Sequence, residues 1–187
     1  MAFRRGFKAG AERLALDVRE ELGVGVYARL DPMALAEHLA IPVMTLSELA
    51  AVGVAPDLGV AVDILHGAES QAMSAVTVFF GSERAIVHND AHSPGRQASN
   101  VTHELSHGLL LHPSAPVLDH RGCRNWNPDV EDEANYLAGA LLIPSKAAWG
   151  LVKRRKSFDQ AAVEFGCSVE MVRWRVNVTG AGRLLAG

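Results

Sequence analysis

Cysteine is scarce in this chain: Cys123 and Cys167 are the only two among its 187 residues. Two thiols cannot build the disulfide framework of a small secreted protein, so a reducing cytoplasm is the expected compartment. Long apolar runs are missing as well. The stretch from Met1 to Lys8 is basic, but Glu12, Arg13, Asp17, Arg19 and Glu20 scatter charge through the next dozen residues. That leaves neither the apolar region of a signal peptide nor a membrane span. An excess of positive charge is also lacking, and a formal net charge of -3 argues against a general nucleic-acid binder. Apolar residues, by contrast, make up 49% of the chain, enough to bury a core within one domain spanning 1–187.

The stretch with defined chemistry is Val101-Thr102-His103-Glu104-Leu105-Ser106-His107. Side chains four apart stand above one another on a helix, so His103 and His107 can reach one ion. Glu104 lies about 100° around the helix from His103, close enough to touch a water on that ion and poorly placed to ligate it. Ser93 is a plausible N-cap, Pro94 suits the first helical position, and Pro113 forbids continuation past His112. Leu105, Leu109 and His112 follow Val101 in a stripe that buries the helix beside its histidine face.

Metal hydrolases of this kind use three protein ligands and leave a fourth position to water. The next strong helix begins at Asn127 and Pro128, and Glu131 and Asn135 share one of its faces. Glu131 is the candidate third ligand, and the Asn135 carbonyl can accept the distal N–H of a ligating histidine. The competing reading is that Asp129, Glu131, Asp132 and Glu133 only favour a helix N-terminus through its dipole. That reading suffices for Asp129 and Asp132.

His103-Glu104-Leu105-Ser106-His107, Glu131-Asp132-Glu133-Ala134-Asn135 and Leu137-Ala138-Gly139-Ala140-Leu141-Leu142-Ile143-Pro144 together resemble the ImmA/IrrE family of metallo-endopeptidases. The lead-in Ile86 to Ser93 with Arg96-Gln97, and Phe165-Gly166-Cys167-Ser168 with Arg173, are similar to that family as well. The resemblance implies His103, His107 and Glu131 as metal ligands and Glu104 as the catalytic carboxylate. Asn135 stands where thermolysin-like enzymes carry an aspartate, which weakens the bond to the histidine without removing it. The implied fold is α+β, a zincin-like metalloprotease domain with a short β-sheet, an active-site helix and a C-terminal helical hairpin. The implied substrates are helix-turn-helix repressors that control stress-response or mobile-element genes.

Around this centre, N-terminal helices are expected over 1–50, a catalytic core over 51–150 and a helical subregion over 151–187. Phe7, Ala11, Leu14, Val18 and Leu22 mark an amphipathic first helix that Gly23 ends. Asp31 and Pro32 start a second helix, and Ile41 to Met44 leaves it as an extended piece. The segment from Ala51 to Ala68 reads as loop with one strand near Val60 to Leu65. Ala75 to Phe80 and Arg84 to His88 flank Gly81-Ser82-Glu83 as a hairpin, either closing the core or offering an edge strand to an extended peptide. The long loop from His112 to Asn127 can cap the cleft. His112 and His120 are expected at the surface or facing substrate. Cys123 packs ordinarily or approaches the metal as an inhibitory thiolate. Tyr136, about 140° from Glu131, is a poor candidate for stabilising the transition state.

The C-terminal part is more basic, with Lys153, Arg154, Arg155, Lys156, Arg173, Arg175 and Arg183 against Asp159, Glu164 and Glu170. Ser157 with Gln160 forms a capping-box pattern, Gly166 breaks the helix, Ser168 caps the next, and the tail after Thr179 frays. The helix-glycine-helix outline is that of a DNA-reading motif, yet it exposes little beyond Arg173 and Arg175, so a packing or docking hairpin is expected. The ligand set favours Zn2+ and tolerates Mn2+. A peptidase reading stands against a non-proteolytic metal-binding sensor, which has no use for Glu104, and against a DNA-binding regulator.

Overall fold

A computed structural model describes residues 3–51, 74–80, 83–113 and 127–185. They form an α+β arrangement, mostly helical, with eight α-helices, a terminal 3-10 helix and one three-stranded sheet among the described residues. The expected strand near Val60 to Leu65 and the loop residues 114–126, with His120 and Cys123, lie outside them. So does the turn of the hairpin at Gly81 and Ser82.

Helix α1 (Phe7–Glu21) buries Phe7, Ala11, Ala15 and Val18, and Gly23 closes it at φ 66°. Helix α2 (Pro32–His38) starts as expected, with the Asp31 carboxylate accepting from Met33 N–H at 3.0 Å. Strand β1 (Val43–Thr45) follows, then a short unanticipated helix α3 (Leu46–Ala51), marked in the sequence only by Thr45 and Glu48: Glu48 N–H donates to Thr45 Oγ1 at 3.0 Å and Thr45 N–H to Glu48 Oε2 at 2.7 Å. Strands β2 (Ala75–Phe80) and β3 (Glu83–His88) pair antiparallel with Phe80 opposite Glu83, so Glu83 belongs to the strand and not to the turn. β3 is central, with β1 parallel on one side and β2 at the other edge of the described sheet. Its Ala85 to His88 are buried, as a strand covered on both faces requires.

Helix α4 (Pro94–Leu109) leaves this sheet directly. Gln97 Nε2 donates to the carbonyls of Asp90 (3.0 Å) and His92 (2.6 Å), which ties down the β3–α4 connection. Ser93 occupies the cap position without a side-chain cap bond; its carbonyl receives Arg96 and Gln97 N–H instead. The helix ends three residues before His112, because Leu111 turns into the left-handed region at φ 53°.

Helix α5 (Pro128–Leu142) is the buried axis, packed by α1 on one side and α4 on another. Asn127 caps it through Asp129 N–H at 3.1 Å. Every residue from Leu137 to Ile143 is buried, so the carbonyls at its C-terminal end are cut off from water and need donors. Two buried arginines supply them: the Arg19 guanidinium donates to Leu141 O and also to Gly25 O and Ala28 O, and Arg175 Nε donates to Ile143 O at 2.8 Å. Burial pulls the Arg19 pKa down to about 10, which still leaves it charged at neutral pH.

Helices α6 (Ser145–Lys153), α7 (Phe158–Phe165) and α8 (Val169–Val178) complete the chain. Ser157 and Gln160 form the expected capping box, Gly166 ends α7 at φ 65°, and Ser168 caps α8. The α7–α8 junction is pressed against the first turn of α4. A Cβ at Gly95 would stand 2.5 Å from Cys167 O, and Ser99 Oγ accepts from Ser168 N–H at 3.1 Å.

Two expectations for this region need correction. Arg175 is not an outward charge: it is fully buried and pairs with Glu12, because only a long cation can reach both that carboxylate and the end of α5. The tail does not fray immediately after Thr179, since Ala181–Leu185 forms a 3-10 turn whose Ala181 is buried against α6 and α8.

Candidate metal centre

α4 and α5 cross so that the histidine face of one meets the Glu131 face of the other. His103 Nε2 lies 3.0 Å from His107 Nε2 and 3.2 Å from Glu131 Oε2, and His107 Nε2 lies 3.7 Å from Glu131 Oε1. Three ligand atoms set about 2.0–2.1 Å from a zinc-sized ion at corners of a tetrahedron stand roughly 3.3–3.4 Å apart, so the observed triangle fits such an ion. The donor chemistry agrees. Two imidazole nitrogens and a carboxylate converge on one point, an arrangement a shared cation stabilises and bare lone pairs do not. Among the described residues this is the group of His, Cys, Asp and Glu able to hold an ion.

The side chains of His103, His107 and Glu131 remain 19%, 20% and 22% exposed, which leaves one side of the triangle open for a fourth partner. Burial pushes the Glu131 carboxyl up, but its bonds to His103 and His107 hold it well below the usual carboxylate range. For His103, burial opposes the charged ring, and contacts with Glu131 and Glu104 overcome it, so the pKa rises. Glu131 and Glu104 thus place negative charge beside the His103 ring.

Each histidine is held from behind. Asn135 Oδ1 sits 3.0 Å from His103 Nδ1, the contact expected from its position one turn beyond Glu131. His107 Nδ1 faces His112 Nδ1 at 2.9 Å. His112 is therefore neither at the surface nor turned to substrate: its side chain is only 8% exposed, because the left-handed Leu111 folds it back beneath α4 with His112 N–H bonded to His107 O at 3.0 Å. Burial lowers the His112 pKa against the pull of Glu133.

Glu104 stands beside the triangle, and its Oε2 accepts from Thr77 Oγ1 at 2.6 Å. That contact places edge strand β2 alongside the centre. Sequence reasoning missed Thr77; the available signal was a single hydroxyl in the otherwise apolar run Ala75 to Phe80. It also missed Glu133, whose carboxylate receives the Arg4 fork at 2.7 and 3.0 Å and contacts His112 Nε2 at 3.4 Å. No local pattern joins Arg4 to residues more than a hundred positions away. Tyr136 points elsewhere: it is buried against Phe3, Phe7 and Trp174, and its hydroxyl donates to Glu12 at 3.1 Å.

Fold and site together define a helical α+β protein with a His-Glu-x-x-His helix and a downstream glutamate gathered as a metal centre. The family model described as IrrE N-terminal-like domain (Peptidase_M78) matches residues 59–177, well over half of the chain, and the protein belongs to that ImmA/IrrE metallopeptidase family. No curated protein matches the chain.

Proposed function

We propose that the protein is a zinc-dependent, zincin-like endopeptidase that cuts a helix-turn-helix transcriptional repressor at one site, in a cytoplasmic stress-response or mobile-element circuit. The observation that carries the reading is the convergence of His103, His107 and Glu131 with a separately held carboxylate, Glu104, at its side. Zn2+, or Mn2+ with the same ligands, supplies Lewis acidity and lowers the pKa of water from 15.7 toward about 7. Glu104 takes the proton of the attacking water and delivers it to the leaving amine. The Thr77 hydroxyl fixes one oxygen of that carboxylate and leaves the other for the water. Asn135 holds the His103 ring.

Selectivity supports a single protein target, since an indiscriminate peptidase would degrade its own host. Lys153, Arg154 and Arg155 are exposed and offer a basic docking surface, while Lys156 is engaged by Glu164. The DNA-binding alternative loses ground, because burial of Arg175 leaves Arg173 as the outward cation of α8. Purified protein with Zn2+ or Mn2+ should leave casein essentially intact and cleave its cognate helix-turn-helix repressor once, as read by mass spectrometry of the fragments. Broad casein digestion would defeat the selectivity, and an uncut repressor the substrate assignment.

A further inference from the structure

Behind His107 the structure holds a chain of side chains that the peptidase reading does not use. His107 Nδ1 lies 2.9 Å from His112 Nδ1, His112 Nε2 lies 3.4 Å from Glu133 Oε2, and the Glu133 carboxylate is clamped by the Arg4 guanidinium at 2.7 and 3.0 Å. Its inner members are shielded, with side-chain exposures of 8% for His112 and 12% for Glu133, so protein and not water supplies their partners. The bend that brings His112 there forces Leu111, a non-glycine residue left 82% exposed, to φ 53°. Ala40 and Arg155 end α2 and α6 with the same left-handed turn, and at Leu111 the bond that closes it, His112 N–H to His107 O at 3.0 Å, folds His112 back beneath α4.

Two ring nitrogens facing each other at this distance share one proton, and its position sets both tautomers. If His112 carried it, His107 would keep its own proton on Nε2, pointing at His103 Nε2 only 3.0 Å away and closing the triangle to a cation. If His107 carries it, the His107 Nε2 lone pair faces the triangle. His112 then accepts at Nδ1 and, as a neutral ring, holds its proton on Nε2, from which it donates a hydrogen bond to the Glu133 carboxylate. The Glu133 carboxylate is an acceptor fixed by Arg4, so the far end of the chain selects the second order.

We propose that His112, braced by Glu133 and Arg4, is a positioning residue that holds His107 in the tautomer whose Nε2 lone pair faces the metal. It does for His107 what Asn135 does for His103, and it ties the centre to the segment just before α1. The proposal rests on the metal-centre reading, so its test reads metal binding and not peptide cleavage.

Zn2+ affinity should be measured by chelator competition for the natural protein, His112→Phe and His112→Asn, with the melting temperature of each metal-free form as the control for folding. His112→Phe keeps a flat ring and loses the acceptor, and should weaken binding by about 10–100-fold. His112→Asn restores an acceptor oxygen and should recover most of that loss, with the Co2+ absorption bands of the natural protein. Equal affinity in all three proteins, or no recovery in His112→Asn, would overturn the proposal. Nitrogen-15 NMR of the Zn2+-loaded natural protein reads the tautomers without any substitution. A proton on His107 Nδ1 and on His112 Nε2 is expected, and a proton on His112 Nδ1 would overturn the proposal whatever the variants do. If the natural protein binds neither Zn2+ nor Co2+, the metal-centre reading itself fails.

Discussion

The two ends of α5 gather charged side chains into the interior and put them to opposite uses. At the C-terminal end, Arg175 and Arg19 serve carbonyls at the end of the helix, and Arg175 pairs with Glu12, which also accepts from Tyr136 and Ser145. There Arg175 meets the opposite charge of Glu12, and Arg19 meets three carbonyl oxygens, so each cation faces acceptors. At the N-terminal end, Glu131 meets two histidine nitrogens that are themselves lone-pair donors, while Asn135 and His112 occupy the far side of each ring. Buried charge alone is therefore no sign of chemistry. Convergence of like ligand atoms on one partly exposed point is.

Substitutions at either end sharpen that contrast. The largest effect is expected for Glu104→Gln, which removes the proton carrier but no ligand: turnover should fall by about 10²–10⁴-fold while bound metal, measured by elemental analysis, stays at one ion. A metal-free variant would make Glu104 a ligand instead.

Next comes the structural end. Glu12→Gln leaves the Arg175 charge buried without its partner and should cost about 3–5 kcal/mol in denaturant unfolding, with metal affinity of the folded protein unchanged. Its pH dependence has a definite sign. Burial raises the Glu12 carboxyl pKa, but Arg175 and Ser145 bring it below the ordinary 4.5. The pair's contribution is thus complete above pH 4.5 and is lost as pH falls through the folded value, so Glu12→Gln should flatten the acid limb of the stability profile in that window. An unchanged acid limb would mean that other carboxylates govern it.

Third in size, Asn135→Ala should lower metal affinity by about 10–100-fold, and Glu131→Gln should lower it further than Glu133→Gln, because only Glu131 brings an oxygen to the triangle. Equal losses at 131 and 133 would move the ligand assignment. The smallest effect belongs to the surface: reversing charge at Arg154 and Arg155 should slow repressor cleavage by about tenfold at low salt, less at high salt, without loss of metal. Cleavage insensitive to both salt and charge would remove the docking role.

Much of this was legible from the linear pattern, for a physical reason. His103 and His107, like Glu131 and Asn135, are set by spacing on one helix, and helical periodicity is a local property that Pro94, Asn127 and Pro128 announce. The caps at Asp31, Asn127, Ser157 and Ser168 are local for the same reason. Thr77 was not legible, because only the packing of β2 against α4 brings its hydroxyl to Glu104. The roles of Arg19 and Arg175 were hidden too: a basic residue on a short helix reads as solvent-facing until the buried end of α5 supplies carbonyls for it.

Sequence alone set His103 with His107, and Glu131 with Asn135, on the faces of two helices through a 3.6-residue repeat, and the family resemblance singled out Glu131 as the candidate third ligand. Tertiary structure decided what surrounds them. The hydroxyl beside Glu104, the imidazole behind His107 and the arginine anchored to Glu133 depend on how separate elements pack, and no short-range pattern encodes the angle at which one helix crosses another.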